Sequence, residues 1–347
     1  MDSNLEFMDN GLLVSVDWLS FTLLTFDNVE DVFLFLGFDP RYFLEMPKGA
    51  NGYKRMRKYV NYNISILYDG TEDMGIHVNV SGSGIHALLS AFRSTLRCDT
   101  PFGEGFNLWD ETVLSSLLSE ITKYGHLTRL DIAIDDKGVN YYSLDDIEDR
   151  LKHLRVVTKF RSHRHMIDKT TLNEKVGHTI YFGSRQSDIM LRIYDKKLER
   201  NKNLSETDDR YIDHDWVRWE LELHRDRANA VLECLIAGKS LGDVAIGILS
   251  QYFRIIDLTD TNRSRCSEEI AWQLFTSGVQ KLGLYVSQRE KTIEDKRRWI
   301  EKKIAPTLSS IYVDEDYNFS YFEKLIRNNV CRISFHDRAL LHNFELQ

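Results

Sequence analysis

The sequence predicts an α+β fold: a large curved antiparallel sheet with helices on one face, plus a helical C-terminal region. Three observations carry this expectation. Several segments alternate apolar and polar residues at period two, the signature of half-buried strands. The order of strand and helix signals across 12–96 returns across 127–237, which is consistent with two pseudo-repeated halves. From about residue 243 onward the pattern is mainly helical. The expected division is therefore a sheet-bearing domain over 1–240 and a helical region over 241–347.

Residues 12–25 (LLVSVDWLSFTLLT) open the first half as a strand rich in β-branched and aromatic residues, and 28–37 follow as a short helix. Residues 57–68 (RKYVNYNISILY) alternate as a strand or hairpin, and 75–80 (GIHVNV) form another strand. Ser81-Gly82-Ser83-Gly84 is a tight turn into a helix over 85–96. The second half begins with a helix over 110–123 and a strand over 127–135 (LTRLDIAID). A helix over 143–153 has Ser143 as N-cap and Asp146 in the capping-box position. Residues 178–182 and 187–194 flank the turn Gly183-Ser184-Arg185-Gln186 as a hairpin. A strand over 216–224 (WVRWELELH) and a helix over 226–237 complete the half, and the polar stretch 198–215 reads as an exposed loop. Beyond 243, the clearest helices are 265–282 and 290–304.

Composition fits a globular protein. Of 347 residues, 42% are hydrophobic and 28% charged, enough for a core. The four cysteines, Cys98, Cys234, Cys266 and Cys331, contain no CxxC pair, so a zinc site of that spacing is not expected. No signal-like leader and no run of 18 apolar residues occur, so a reduced, cytoplasmic protein without a membrane segment is expected. The net charge of −8 argues mildly against nucleic acid. The basic residues are nevertheless clustered, in 151–165 (LKHLRVVTKFRSHRH), 192–202 (RIYDKKLERNK) and 289–303 (REKTIEDKRRWIEKK), although any one such run is more often a solvated face.

Chemistry concentrates on three strands. Residues two apart share a face. Arg129, Asp131 and Asp135 share one, opposite Leu130, Ile132 and Ile134. Asp188, Arg192 and Tyr194 share one, opposite Ile189, Leu191 and Ile193. Arg218, Glu220, Glu222 and His224 share one, opposite Val217, Trp219, Leu221 and Leu223. If the strands are neighbours, acids and bases form a platform beside one phenol. Glu220 and Glu222 lie about 7 Å apart along a strand and can converge on one ion. Asp131 is preferred over Asp135 as their partner. Such an oxygen donor set suits Mg²⁺ or Mn²⁺, and His224 would favour Mn²⁺. A phenol is a poor nucleophile unless a cation, metal or base activates it; Arg192, Lys196 and Lys197 would supply that field. The bland alternative is that Arg129–Asp131 and Arg218–Glu220 are ordinary ion pairs on a sheet.

At these residues the chain resembles the replication initiation factor family of rolling-circle plasmids, which includes relaxases of some integrative conjugative elements. The matching stretches are VDWLSFT (16–22), MGIHVNVSGSG (74–84), TRLDIAIDD (128–136), YFGSRQSDIMLRIYDKKLE (181–199), WVRWELELHRDRA (216–228), WQLFTSG (272–278) and KRRWIEKKIAPTLSSI (296–311). The stretch ending in RIYDKKLE is the specific one. One departure is SGSGIH, where relatives often carry Cys-Arg. The resemblance implies that Tyr194 attacks a phosphodiester at the origin, leaving a 5′-phosphotyrosine and a free 3′-hydroxyl, with religation needing no ATP. It implies a divalent metal, Mg²⁺ or Mn²⁺, on Asp131, Glu220 and Glu222. Arg192 and Lys196 would steady the developing charge. Arg129, Arg185, Lys197 and Arg218 are candidate DNA contacts, with Arg297 and Arg298 on the basic helix 290–304. It also implies a homodimer that recruits a host helicase. The nicking core is shared by plasmid initiators and conjugative relaxases, so both roles stay open. So do an origin-binding protein without catalysis and a metal-dependent nuclease that activates water.

Overall fold

The computed structural model describes residues 6–96, 111–277, 279, 282–284 and 293–330. In the first half, β1 (Glu6–Phe7) and β2 (Leu13–Leu23) precede α1 (Val29–Leu36). Then come β3 (Phe43–Glu45), β4 (Arg55–Tyr59), β5 (Ile64–Tyr68), β6 (Ile76–Ser81) and α2 (Ser83–Arg93). The second half contains α3 (Glu111–Tyr124), β7 (Gly125–Lys137), α4 (Leu144–Lys152), β8 (Val156–Thr158), β9 (His163–Lys169), β10 (Lys175–Phe182), β11 (Ile189–Asp195), α5 (Lys196–Asn201), β12 (Trp216–His224) and α6 (Arg225–Ile236). After it come α7 (Leu241–Tyr252), β13 (Phe253–Ile255) and α8 (Ile270–Phe275).

One antiparallel sheet runs in the order β3-β4-β5-β6-β2-β7-β12-β11-β10-β9, with β1 paired to β2. The first long strands of the halves, β2 and β7, lie side by side at its centre. Outward from each, the order runs backwards through the chain: β6, β5, β4, β3 on one side and β12, β11, β10, β9 on the other. The repeated element order therefore corresponds to a repeated topology. Strands β8 and β13 form a small separate sheet.

Local chemistry sets the helix ends. Asn28, Ser143 and Ser240 cap α1, α4 and α7 with side-chain oxygens. Ser143 and Asp146 form the full reciprocal capping box. Gly37 closes α1 at φ 75°, and a Cβ there would come within 2.3 Å of the Ala91 carbonyl oxygen, so no other residue fits without a shift.

The aliphatic faces of β7, β11 and β12 are buried under helices. Leu130, Ile132, Ile134, Leu191, Ile193, Trp219 and Leu221 have no exposed surface. Trp219 anchors an aromatic cluster, with ring centroids 5.1 Å from Phe275, 5.6 Å from Phe253 and 5.8 Å from Trp272.

The chain divides into two compact units, Met1–Val286 and Ser287–Gln347. The boundary expected at 240 is corrected to 286, because α7 is buried almost all round and belongs to the first core: Leu241, Val244, Ala245, Ile246, Ile248 and Leu249 are covered. The second unit contains α9 (Ile293–Trp299), a π-helical segment (Ile300–Ile304), α10 (Ala305–Asp314) and α11 (Ser320–Asn329). Helix α8 is shorter than the 265–282 expected, since Cys266–Glu269 are extended and tie back to Ile256. The stretch 198–215 is not all loop, because Asp195 caps α5 and starts a helix at Lys196. Among the described residues no helix is long and apolar enough to cross a membrane. Cys234 and Cys266 are free thiols, while Cys98 and Cys331 lie outside the described residues.

Replacing Trp219 with alanine is expected to cost about 3–5 kcal/mol in denaturant unfolding, the toll of a large core aromatic. A loss below about 1 kcal/mol would mean that the aromatic cluster does not carry this face.

Candidate active site on the polar face of the sheet

Strand register brings the candidate residues together. Arg192 stands opposite Glu220 and Tyr194 opposite Arg218 across the β11–β12 pair. Arg218 stands opposite Asp135, Glu222 opposite Asp131 and His224 opposite Arg129 across β12–β7. Every one of these side chains is on the face away from the aliphatic core. Thr179 and Tyr181 of β10 extend that face, opposite Tyr194 and Arg192.

Tyr194 is the second-last residue of β11, immediately before Asp195, which caps α5. Its side chain is largely buried, at 6% exposure, yet its neighbours are charged rather than aliphatic. The hydroxyl donates to Glu220 Oε2 at 3.1 Å, and Lys196 Nζ donates to the hydroxyl at 3.4 Å. The guanidinium carbon of Arg192 lies 4.9 Å from the ring centroid. Arg192 also donates to Glu220 Oε1, and its own Nε–H is buried without a protein partner. Burial pushes the Tyr194 phenol above its ordinary value and the Glu220 anion adds to this, while Arg218 and Arg192 oppose it. Glu220 is raised too, by burial first, with Arg192 pulling the other way. The phenol is therefore neutral at rest, with a proton acceptor and a cation on its oxygen. A cleft of about 200 Å³ runs beside it, lined by Asp168, Thr179, Tyr181, Arg192, Tyr194 and Glu199 among others.

Asp131 and Glu222 are direct cross-strand neighbours, and Arg129 lies between them. It grips Asp131 with a two-pronged contact at 2.8 and 2.6 Å and reaches Glu222 at 3.1 Å. The indole of Trp18 covers its guanidinium at 4.2 Å. Burial pushes Asp131 up to about 7 despite the Arg129 fork. Glu222 is also pushed up by burial, but the contacts with His224 (2.8 Å) and Arg129 outweigh this and hold it below its ordinary value. On donor chemistry the pair fits a hard divalent cation: two carboxylates face a position now filled by positive charge. Glu220 instead contacts Tyr194 and Arg192.

The expected DNA contacts fall into different settings. Arg218 is corrected to a structural group. It is 7% exposed, forks onto Asp135 at 2.7 and 2.8 Å, and reaches Asp17 at 2.6 Å. Arg129 is only partly exposed and occupies the Asp131–Glu222 gap. Lys197 pairs with Asp215 at 3.0 Å on the surface, and Arg185 is exposed in the β10–β11 turn. Arg297 and Arg298 are exposed on α9 in the second unit, as are Trp299 and Ile300 beside them. Sequence reasoning missed Asp17, which a bulge in β2 between Val16 and Trp18 turns toward Arg218. It also missed Trp18 and Tyr181. Among the described residues, the group of three metal-ligating side chains that converges contains none of the predicted ligands: Glu148, His165 and His178 have ligand atoms within 4.8 Å of one another.

Residues 125–326, which include every group of this site except Asp17 and Trp18, match the family described as Replication initiation factor. The chain belongs to the replication initiation factor family. It is 26% identical over 320 residues to "Putative DNA relaxase NicK" of Bacillus subtilis (strain 168), covering 90% of this chain and 84% of that one. Its fold is similar to the solved rolling circle replication initiator protein from Geobacillus stearothermophilus. That comparison has a TM-score of 0.62 at 29% identity, over 79% of this chain and 99% of the other. Within this replication initiation factor, Tyr194 and Glu220 fall inside the matched region, on the paired strands β11 and β12.

Arg218→Ala is expected to destabilise the protein by about 3–5 kcal/mol, since it strands the fully buried Asp135. If Arg218 were instead a DNA contact, thermal unfolding would hardly move and only DNA affinity would fall.

Proposed function

We propose that this protein is a rolling-circle replication initiator that nicks one DNA strand by transesterification at Tyr194. The observation that carries the reading is the phenol held between Glu220 and Lys196 on a charged platform at the edge of a cleft. Its membership of the family and its two named relatives support the same class of chemistry.

In the proposed reaction, Glu220 Oε2 takes the phenol proton as the oxygen of Tyr194 attacks phosphorus in line. The P–O3′ bond breaks, the 3′ oxygen leaves and takes a proton from water to become a hydroxyl, and Glu220 releases the phenol proton to solvent. The 5′-phosphate stays on Tyr194 as a phosphodiester, so a strand 3′-hydroxyl can reverse the step without an energy source. Lys196 and Arg192 steady the negative charge that grows on the phenol and phosphoryl oxygens. The unpartnered Nε–H of Arg192 is a donor that a phosphate oxygen would satisfy. Asp131 and Glu222 would hold a divalent ion, Mg²⁺ or Mn²⁺, with Arg129 displaced toward the DNA backbone. When bound there, the ion would supply Lewis-acid polarisation of the phosphate. Arg185, Lys197, Arg297 and Arg298 are proposed DNA contacts that position the backbone. A relaxase role is the second reading, favoured by the likeness to the named relaxase over most of its length; it uses the same reaction.

On a supercoiled plasmid carrying the cognate origin, Tyr194→Phe is expected to give no open circles while binding the origin as tightly as the parent protein. Glu220→Gln should slow nicking by about 10²–10⁴-fold, the usual weight of a general base. Nicking by the phenylalanine variant at the parental rate would defeat the proposal and point to activated water.

A further inference from the structure

We propose that His165, His178 and Glu148 form a site for a divalent transition-metal ion, with Zn²⁺ the best match, on the face of the sheet opposite Tyr194. The inference does not depend on the nicking reading. Register places both histidines on the helix-covered side. His165 stands opposite Ile180 and His178 opposite Ile167, whereas the neighbouring Thr179 stands opposite Tyr194. Helix α4 lies over this end of the sheet and supplies Glu148. The three residues thus come from three elements, a helix and two strands, rather than from a run of exposed acids.

The geometry suits a shared cation. The two imidazoles are stacked, with centroids 4.8 Å apart, and their Nε2 atoms are 2.6 Å apart. Two neutral rings at that separation need one N–H turned into the other's lone pair. An ion between them would use both lone pairs, after the nitrogens part by about 0.5–1 Å to suit Zn–N bonds near 2.0–2.1 Å. Glu148 Oε1 lies 3.7 Å from His165 Nδ1, and its side chain is bonded to Lys152 at 3.0 Å. Asp145 is 3.9 Å from His178 Nδ1, on the far edge of that ring, and is bonded to Lys175 at 3.1 Å. His178 is 4% exposed, which shields the site from bulk water on one side.

The donor set sets the metal class. Two imidazoles and a carboxylate favour Zn²⁺, Co²⁺ or Ni²⁺, whereas the carboxylate pair on the other face favours Mg²⁺ or Mn²⁺. The position suggests what the ion would do. Strand β9 is the sheet's outer strand on this side, paired among the described residues with β10 alone, and largely exposed. A metal would fasten it to β10 and to α4. The other face of β9 carries Arg164, whose guanidinium carbon lies 5.1 Å from the ring centroid of Tyr181 in the cleft beside Tyr194. Fastening β9 would fix that wall of the cleft.

The test is metal titration of the full chain after chelator treatment, with Co²⁺ followed by its visible absorption and Zn²⁺ by competition with a chromogenic chelator. Three variants are compared: His165→Ala/His178→Ala, Glu148→Gln and Glu222→Ala. The parent is expected to bind one Zn²⁺ with a rise in unfolding temperature. Glu222→Ala should keep that ion, the double variant should lose it, and Glu148→Gln should weaken it by about 10-fold or more. Glu148 is half-exposed on a helix, so its variant stays informative if the double variant fails to fold. Absence of Zn²⁺ binding by the parent, or equal binding by Glu148→Gln, would overturn the proposal and leave a hydrogen-bonded histidine pair.

Discussion

The site depends on one constraint, the register of β11, β12 and β7. Because side chains alternate at period two, a one-residue slip of β12 would turn Glu220 into the core and Trp219 into the polar face. Two things forbid it. Trp219, Leu221 and Leu223 are fully covered on the helix side. On the other side, the cross-strand partners are complementary: Arg192 with Glu220 and Arg218 with Asp135, plus Arg129 reaching both Asp131 and Glu222. The same pairing that fixes the fold places Glu220 on the phenol oxygen of Tyr194.

Burial of so much charge has a cost, and the shifts record it. Asp131, Glu220 and Tyr194 are all pushed toward their neutral forms by burial. Guanidinium groups offset this by direct contact, and the long side chains close the platform over the acids, with Trp18 lying on Arg129. In the account given above, binding of DNA and a divalent ion would exchange these internal partners for phosphate and metal. Arg129 and Arg192 would then pass from balancing charge within the protein to balancing it on the nucleic acid. Arg218 does not, because Asp135 and Asp17 hold it inside.

Much of this was legible in the sequence, because strand periodicity reads directly. The stretches 127–135, 188–194 and 216–224 gave the strands, and their alternation gave the two faces. Period two does not say where a long side chain ends. Alternation thus does not show Arg129 lying between two acids, and Arg218 reads as a DNA contact until the structure shows the fork on Asp135. The helix starting at Lys196 was hidden in a charged stretch, since only the capping oxygen of Asp195 marks its start. Strand β9 was hidden within a basic run, so nothing assigned His165 to a face or brought it near His178. Asp17 depends on a bulge, which alternation cannot anticipate. The core boundary near 286 was obscured because α7 is too uniformly apolar to show a face.

The central claim is that the oxygen of Tyr194, and no other, becomes joined to DNA. It is tested most directly by trapping the protein on a labelled origin oligonucleotide with Mn²⁺, digesting it, and locating the attached nucleotide by tandem mass spectrometry. The account predicts a nucleotide mass on the peptide containing Tyr194, assigned to that phenol. Attachment to Tyr181, which lines the same cleft, or strand cleavage with no attached nucleotide on any peptide, would contradict it.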